Sequence, residues 1–164
     1  MSRKPSSLLE TDFIAFDLET TGLHPVASQI VEIGAVRFRG DGTVIDEFQQ
    51  LVNPECSIPA RVTEIHGITN KMVADQPVIK QVLPRLVKFL GDSPVVMLAH
   101  NAGFDLGFLS VAFSRLSQPA PTHPVVDTCA LARRRLSLPT VFTSGRLIRQ
   151  YATLDGHVCG PEQI

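Results

Sequence analysis

The chain has 164 residues, enough for one domain or one domain with a short tail, and too few for two full ones. Hydrophobic residues make up 44% against 19% charged, which supplies a core and argues against a disordered chain. Lys and Arg number 15 and Asp and Glu 16, a formal charge of −1, so no whole-protein field draws in a polyanion and such a substrate would need local help, for instance from metal ions.

Phe13-Ile14-Ala15-Phe16 is an apolar run that enters Asp17-Leu18-Glu19-Thr20-Thr21-Gly22, as a buried strand ending at a turn does, and it predicts the first strand. Ile30, Val31, Ile33, Val36 and Phe38 predict the second, Gly40-Asp41-Gly42 a hairpin turn, and residues 44–52 the third. Three antiparallel strands depart from the strict strand–helix alternation of a dinucleotide-binding fold. Asn53-Pro54 breaks the sheet; residues 59–66, Pro first and closed by Gly67, predict a short helix, with another expected after Thr69. Val78, Val82, Leu83, Leu86, Val87 and Leu90 share a helical face, in which Pro84 predicts a kink or a later start, and Gly91-Asp92 ends it.

Residues 95–99 predict a buried strand and residues 104–116 an apolar helix, joined by His100-Asn101-Ala102-Gly103. A proline-rich loop over residues 119–124 leads to a last short strand at Val125-Val126, and residues 128–136 to a helix closed by Arg133-Arg134-Arg135. The helix dipole favours these arginines at that end, and a solvated face is preferred over a phosphate contact. Beyond Leu138 the pattern weakens: residues 146–151 fit one or two helical turns and residues 155–164 no convincing element.

Cys56, Cys129 and Cys159 are odd in number and lack a CxxC spacing, so neither a disulfide framework nor a thiolate zinc site is indicated, and a reducing cytoplasm is the default. No apolar signal core follows Met1-Ser2-Arg3-Lys4-Pro5, and no stretch approaches the roughly 18 apolar residues of a membrane span, which disfavours secretion and membrane insertion.

Asp17 and Glu19 stand two apart at the end of the first strand, where alternation points both to one face as a paired carboxylate. A solvated strand end is the plain alternative. Emerging from an apolar run, however, the pair crowds like charges beside a core unless a cation neutralises them. Asp105, in the first turn of the apolar helix, can cap amide donors or project into a crevice at the strand end. Together these are three hard oxygen ligands, suited to Mg²⁺ or Mn²⁺ and not to zinc. His100 at a strand terminus fits a hydrogen-bonded structural role ahead of a general base; Asn101 either binds a nucleic-acid strand or closes the turn, and Asp127 supports the sheet end or the site.

Phe16-Asp17-Leu18-Glu19-Thr20-Thr21-Gly22-Leu23, Ile65-His66-Gly67-Ile68-Thr69 and His100-Asn101-Ala102-Gly103-Phe104-Asp105 resemble the first motif, the substrate loop and the second motif of the DEDDh exonucleases, with the proofreading epsilon subunit of bacterial DNA polymerase III among the nearest relatives. The resemblance implies an α/β, ribonuclease-H-like mixed sheet, three antiparallel strands followed by alternating helices and strands. It implies a 3′→5′ exonuclease with two ions, Mg²⁺ or Mn²⁺, acting on a single-stranded or frayed DNA 3′ end. Asp17 would bridge both ions, Glu19 hold one near the attacking water, and Asp105 ligate the other. The backbone of Thr20, Thr21 and Gly22 would approach the terminal 3′-OH, with the glycine serving a tight turn; Leu23 would pack on the last base, and His66 lie near the scissile end or terminal base. Residues 12–138 would form the exonuclease core, residues 1–11 an N-terminal tail, and residues 139–164 an atypical or truncated C-terminal part.

The family's third motif sets a histidine, the general base, five residues before the last metal-binding aspartate. The nearest match is His157-Val158-Cys159-Gly160-Pro161-Glu162, with His157 as base and Glu162 in place of the aspartate, although Gly160-Pro161 is poor helix material. Three functions follow: a DNA exonuclease of proofreading or repair type, a non-catalytic nucleic-acid-binding or polymerase-associated domain with an incomplete site, or an exoribonuclease. A polymerase subunit is the protein partner implied.

Overall fold

Strand β1 (Asp12–Thr20) alternates as the sequence predicts: Ile14, Phe16, Leu18 and Thr20 are buried, while the residues between them are not. This is a computed structural model, in which residues 7–92 and 95–136 are described. The chain forms two compact units, Met1–Thr128 and Cys129–Ile164, and the account below concerns the first. Of the second, the structure describes only the remainder of α5 (Thr128–Leu136).

β1 pairs antiparallel with β2 (Ile30–Arg39), which pairs antiparallel with β3 (Val44–Leu51). On its other side β1 pairs parallel with β4 (Val96–Ala99), and β4 parallel with β5 (Val125–Asp127). The five-stranded mixed sheet therefore runs β3-β2-β1-β4-β5. Its parallel half arises because helices intervene between β3 and β4 and between β4 and β5, as crossover connections require.

Helices α3 (Ile79–Leu90) and α4 (Gly103–Arg115) cover one face. Val82, Leu83, Leu86 and Leu90 from α3 and Phe108, Leu109, Ala112 and Phe113 from α4 close over Ile14, Phe16 and Leu18. Burying each such leucine or phenylalanine stabilises the fold by about 1.5–3 kcal/mol. α3 begins at Ile79, one place later than its apolar face suggests, and continues through Pro84 as a single element. Its first turn is held by Gln81, whose Oε1 accepts from the Val78 amide at 3.2 Å. Arg37 from β2 donates to the carbonyls of Phe89 and Leu90 at the other end, at 2.9 and 2.7 Å. On the opposite face, Val62 of α1 (Ala60–His66) and Val73 of α2 (Asn70–Val73) pack with Val31, Ile58 and Ile68 in a smaller cluster.

Residues 7–11 meet the turn between β2 and β3. Leu8–Glu10 form a 3-10 turn, and the Gly40 amide donates to the Thr11 carbonyl at 2.9 Å. A Cβ on Gly40 would collide with the Leu8 backbone carbonyl. Gly40→Ala is therefore expected to displace this turn and lower stability by about 1–3 kcal/mol, as overpacking does. Faster proteolysis near Leu8, together with a lower melting temperature, would check it; an unchanged melting curve would rule it out.

Candidate active site

β4 ends early. The last pair between β4 and β1 is Leu98 opposite Ala15, yet β1 continues to Thr20. Beyond Ala15 the β4 side of β1 therefore has no strand to bond. The Leu18 amide there donates to Asp105 Oδ1 at 3.0 Å, and Asp105 is only 2% exposed at the first turn of α4. Here the Asp105 carboxylate accepts from a backbone amide, standing in for a missing strand neighbour.

Asp17 and Glu19 lie on one face of β1, away from the face that Phe16 and Leu18 bury, as their spacing predicts. In the β2 register Asp17 faces Gly34 and Glu19 faces Glu32. Glu32 is the residue that sequence analysis missed. The register shifts where Thr20 pairs with Ile30, leaving Val31 in a bulge. This changes the phase of β2, so Ile30 and Ile33 both meet the core and Glu32 falls beside Glu19. No alternation signal reports such a phase change, and the long connection before β2 fixes no register. Gln49 Nε2 donates to Glu32 Oε1 at 2.9 Å.

These carboxylates raise one another's pKa. Burial, then the charges of Asp17, Glu32 and Asp105, push Glu19 up to about 7. Asp105 is raised to about 6, first by burial and then by Asp17, against the opposing hydrogen bond from Leu18. Asp17 stays accessible at the strand end, yet partial desolvation raises its pKa and Glu32 adds to this, while His100 opposes the rise. Among the described residues none of the three forms an ion pair with Lys or Arg; the pair Arg39–Asp12, at 3.8 Å, lies elsewhere.

Among the described residues no three His, Cys, Asp or Glu side chains are gathered closely enough to form a closed metal cage. The expected trio is thus not preassembled around one point. A Mg²⁺-type ion nonetheless fits what is present, since it keeps several waters and takes only one or two carboxylates together with substrate oxygens. Hard oxygen donors whose charges repel one another are the donor set such an ion relieves.

The turn after β1 is held by its own side chains. Thr20 Oγ1 donates to the Gly22 carbonyl at 2.7 Å, and Thr21 Oγ1 accepts from the Gln29 amide at 3.0 Å. Both threonines are buried. Gly22 does not adopt a left-handed conformation; a Cβ there would come within 2.8 Å of the Ser28 hydroxyl, which would have to turn aside, and among the described residues the positive-φ glycines are Gly42, Gly67 and Gly91. Leu23 next to it is 73% exposed.

His66 ends α1, where Gly67, at φ 78°, caps the helix. Its Nδ1 accepts from the Ile68 amide at 3.0 Å, so the neutral ring carries its hydrogen on Nε2, a buried atom with no hydrogen-bond partner among the described residues. Asn101 adopts φ 64° and closes the turn between β4 and α4, with its amide donating to Asp127 Oδ1 at 3.1 Å. Asp127 thus supports the sheet end. The Asn101 side chain is exposed. His157 and Glu162 lie outside the described residues.

A cavity of about 500 Å³ lies elsewhere, between Pro25, Ile30, Val78, Phe108 and Val111, and none of the carboxylates lines it. The carboxylates instead stand at the C-terminal ends of the parallel strands, where ligands of open α/β sheets bind.

The exonuclease family RNase T matches residues 14–148, a span that holds all three carboxylates. The chain belongs to the RNase T exonuclease family. It is 47% identical over 137 residues to a candidate bifunctional exonuclease/endonuclease of Mycobacterium tuberculosis, covering 80% of this chain and 21% of that protein. To a PolC-type DNA polymerase III of Halalkalibacterium halodurans it is 40% identical over 126 residues, covering 77% of this chain and 9% of the polymerase. The chain thus spans less than a quarter of either relative. Among solved structures it is similar to exonuclease X in complex with 5′ overhanging duplex DNA, with a TM-score of 0.64 and 32% identity over 93% of this chain and 78% of that one. A product-bound exonuclease I shares the fold, with a TM-score of 0.75 at 16% identity over 93% of this chain and 40% of that one. The ribonuclease-H-like α/β fold expected from the motifs is the fold of this RNase T member. No helix among the described residues is long and apolar enough to cross a membrane.

Proposed function

We propose that the protein hydrolyses the terminal phosphodiester at a DNA 3′ end in the cytoplasm, releasing nucleoside monophosphates, with two divalent ions, Mg²⁺ or Mn²⁺, held at Asp17, Glu19 and Asp105. The observation that carries this is the convergence of mutually repelling carboxylates, without an ion pair among the described residues, at the open ends of parallel strands. When bound, such ions supply an activated water and stabilise charge on the phosphoryl and leaving oxygens.

The chain's own residues do the rest. Asp105 Oδ1 accepts from the Leu18 amide, which fixes the position of the carboxylate that would hold an ion. Glu19, with a pKa about 7, is readily ionised by a nearby cation. The braced backbone of Thr20, Thr21 and Gly22 approaches the terminal 3′-OH, and the exposed Leu23 offers an apolar surface for the last base. His66 Nε2–H is a donor for a substrate oxygen, and the exposed Asn101 side chain meets the strand. His157 as base and Glu162 as last carboxylate complete the proposal. Its DNA specificity is supported by the likeness to exonuclease X, and association with a polymerase by the PolC-type relatives, in which the matched segment is a small part of a longer chain.

A 5′-labelled single-stranded DNA oligonucleotide tests the reading. Shortening from the 3′ end in single-nucleotide steps with Mg²⁺ or Mn²⁺, abolished by a chelator, is the expected result. A folded protein that binds the oligonucleotide without cutting it would point to the non-catalytic alternative, and faster cutting of a matched RNA to an exoribonuclease.

A further inference from the structure

Three residues stand in a row across the ends of the parallel strands. Ala15 pairs with Leu98, and Ala99 with Asp127. Continuing those registers past the last bonded residues sets Asp17 beside His100 and His100 beside Thr128. The electrostatic effect of His100 on Asp17 agrees with this placement.

Hydrogen-bond counting then fixes the histidine. Thr128 has a single hydroxyl hydrogen, and its Oγ1 lies 3.2 Å from the Ala99 carbonyl oxygen, which can only accept. The hydroxyl hydrogen is therefore committed to Ala99. Toward His100 Nδ1, 3.3 Å away, Thr128 Oγ1 can only accept, so Nδ1 carries the hydrogen. The neutral ring is left with a bare lone pair on Nε2. That atom is buried and has no hydrogen-bond partner among the described residues. A buried acceptor of this kind is unfavourable unless something donates to it. His66 presents the opposite polarity, a buried Nε2–H, so the two histidine motifs are not equivalent.

We infer that Thr128 is a positioning residue that holds His100 in the Nδ1–H tautomer, so that Nε2 accepts a hydrogen bond from water at the Asp17 carboxylate. The inference rests on the reading of that carboxylate site as hydrolytic. No bond to His100 is made or broken: the imidazole orients water, and the Thr128–Ala99 pair sets which ring nitrogen is left to accept.

Long-range ¹H–¹⁵N NMR of the metal-free protein tests the tautomer without any activity. His100 is expected as Nδ1–H in the wild type, shifted toward Nε2–H in Thr128→Val and restored in Thr128→Ser. Nε2–H in the wild type, or no shift in Thr128→Val, would overturn the assignment. In oligonucleotide hydrolysis, Thr128→Val is expected to lower kcat on the order of 10- to 100-fold at unchanged KM, with most of the loss recovered in Thr128→Ser. Equal loss in both variants, or wild-type kcat in Thr128→Val, would overturn the positioning role. A wild type inactive on DNA that still shows the tautomer shift would refute the exonuclease reading and support the His100 assignment on its own.

Discussion

Asp105→Asn is expected to lose on the order of a thousandfold or more in hydrolytic rate while melting at or above the wild-type temperature. Asp105→Ala is expected to lose the same activity and, in addition, about 1–3 kcal/mol of stability. The split follows from the two tasks of one side chain. Asparagine keeps an oxygen to accept from the Leu18 amide, now at 3.0 Å, but removes the charge that would hold an ion. It also removes a buried charge whose pKa is already raised to about 6 by burial and by Asp17, so the fold gains from the change. Alanine instead leaves the Leu18 amide buried with nothing to accept from it. Urea unfolding of both variants beside a mononucleotide-release assay measures the two effects separately. Equal destabilisation by Asn and Ala would mean that the Leu18–Asp105 bond contributes nothing.

The second large effect is on pH. Glu19 is raised from 4.5 to about 7 and Asp105 from 3.8 to about 6, so in the absence of metal the folded protein binds more protons than the unfolded chain between those limits. Their contribution to stability is fully present below the unfolded pKa values and is lost as pH rises through the folded ones. Metal-free protein is therefore expected to lose on the order of 2 kcal/mol between about pH 4.5 and about pH 8, a figure already reduced because Glu19 is half exposed. Mg²⁺ or Mn²⁺ favours the ionised carboxylates and should flatten the profile, with the largest rise in melting temperature at the alkaline end. Calorimetry across this range with and without the ion checks both parts. A metal-free stability that climbs with pH through the window would contradict the placement of these groups.

Much of this site was legible because its signals are local. The two-residue spacing of Asp17 and Glu19 needs only strand alternation, and the hairpin at Gly40-Asp41-Gly42 and the helix end at Gly67 need only turn chemistry. What escaped is set by register and by chain crossing. Glu32 reaches the carboxylates because a bulge at Val31 changes the phase of β2, and Asp105 meets Leu18 across a separation of 87 residues. At Gly22 the sequence speaks only for a turn, whereas the structure also brings the Ser28 hydroxyl, six residues on, close to it. Pro84 predicts a kink or a delayed start of α3; the helix starts one residue late and is otherwise continuous through it, with Leu83 and Leu86 on either side fully packed.

The short β4 has an engineering consequence. A sheet gains rigidity when each strand is matched along its length, and substitutions that stabilise enzymes often cost function when they rigidify the site. Extending β4 past Ala99 would offer β1 a backbone neighbour where the Leu18 amide now meets a carboxylate. Such a variant would resist heat better and would also displace Asp105 from the Leu18 amide. Thermostability and the placement of the Asp105 carboxylate compete here for a single amide hydrogen.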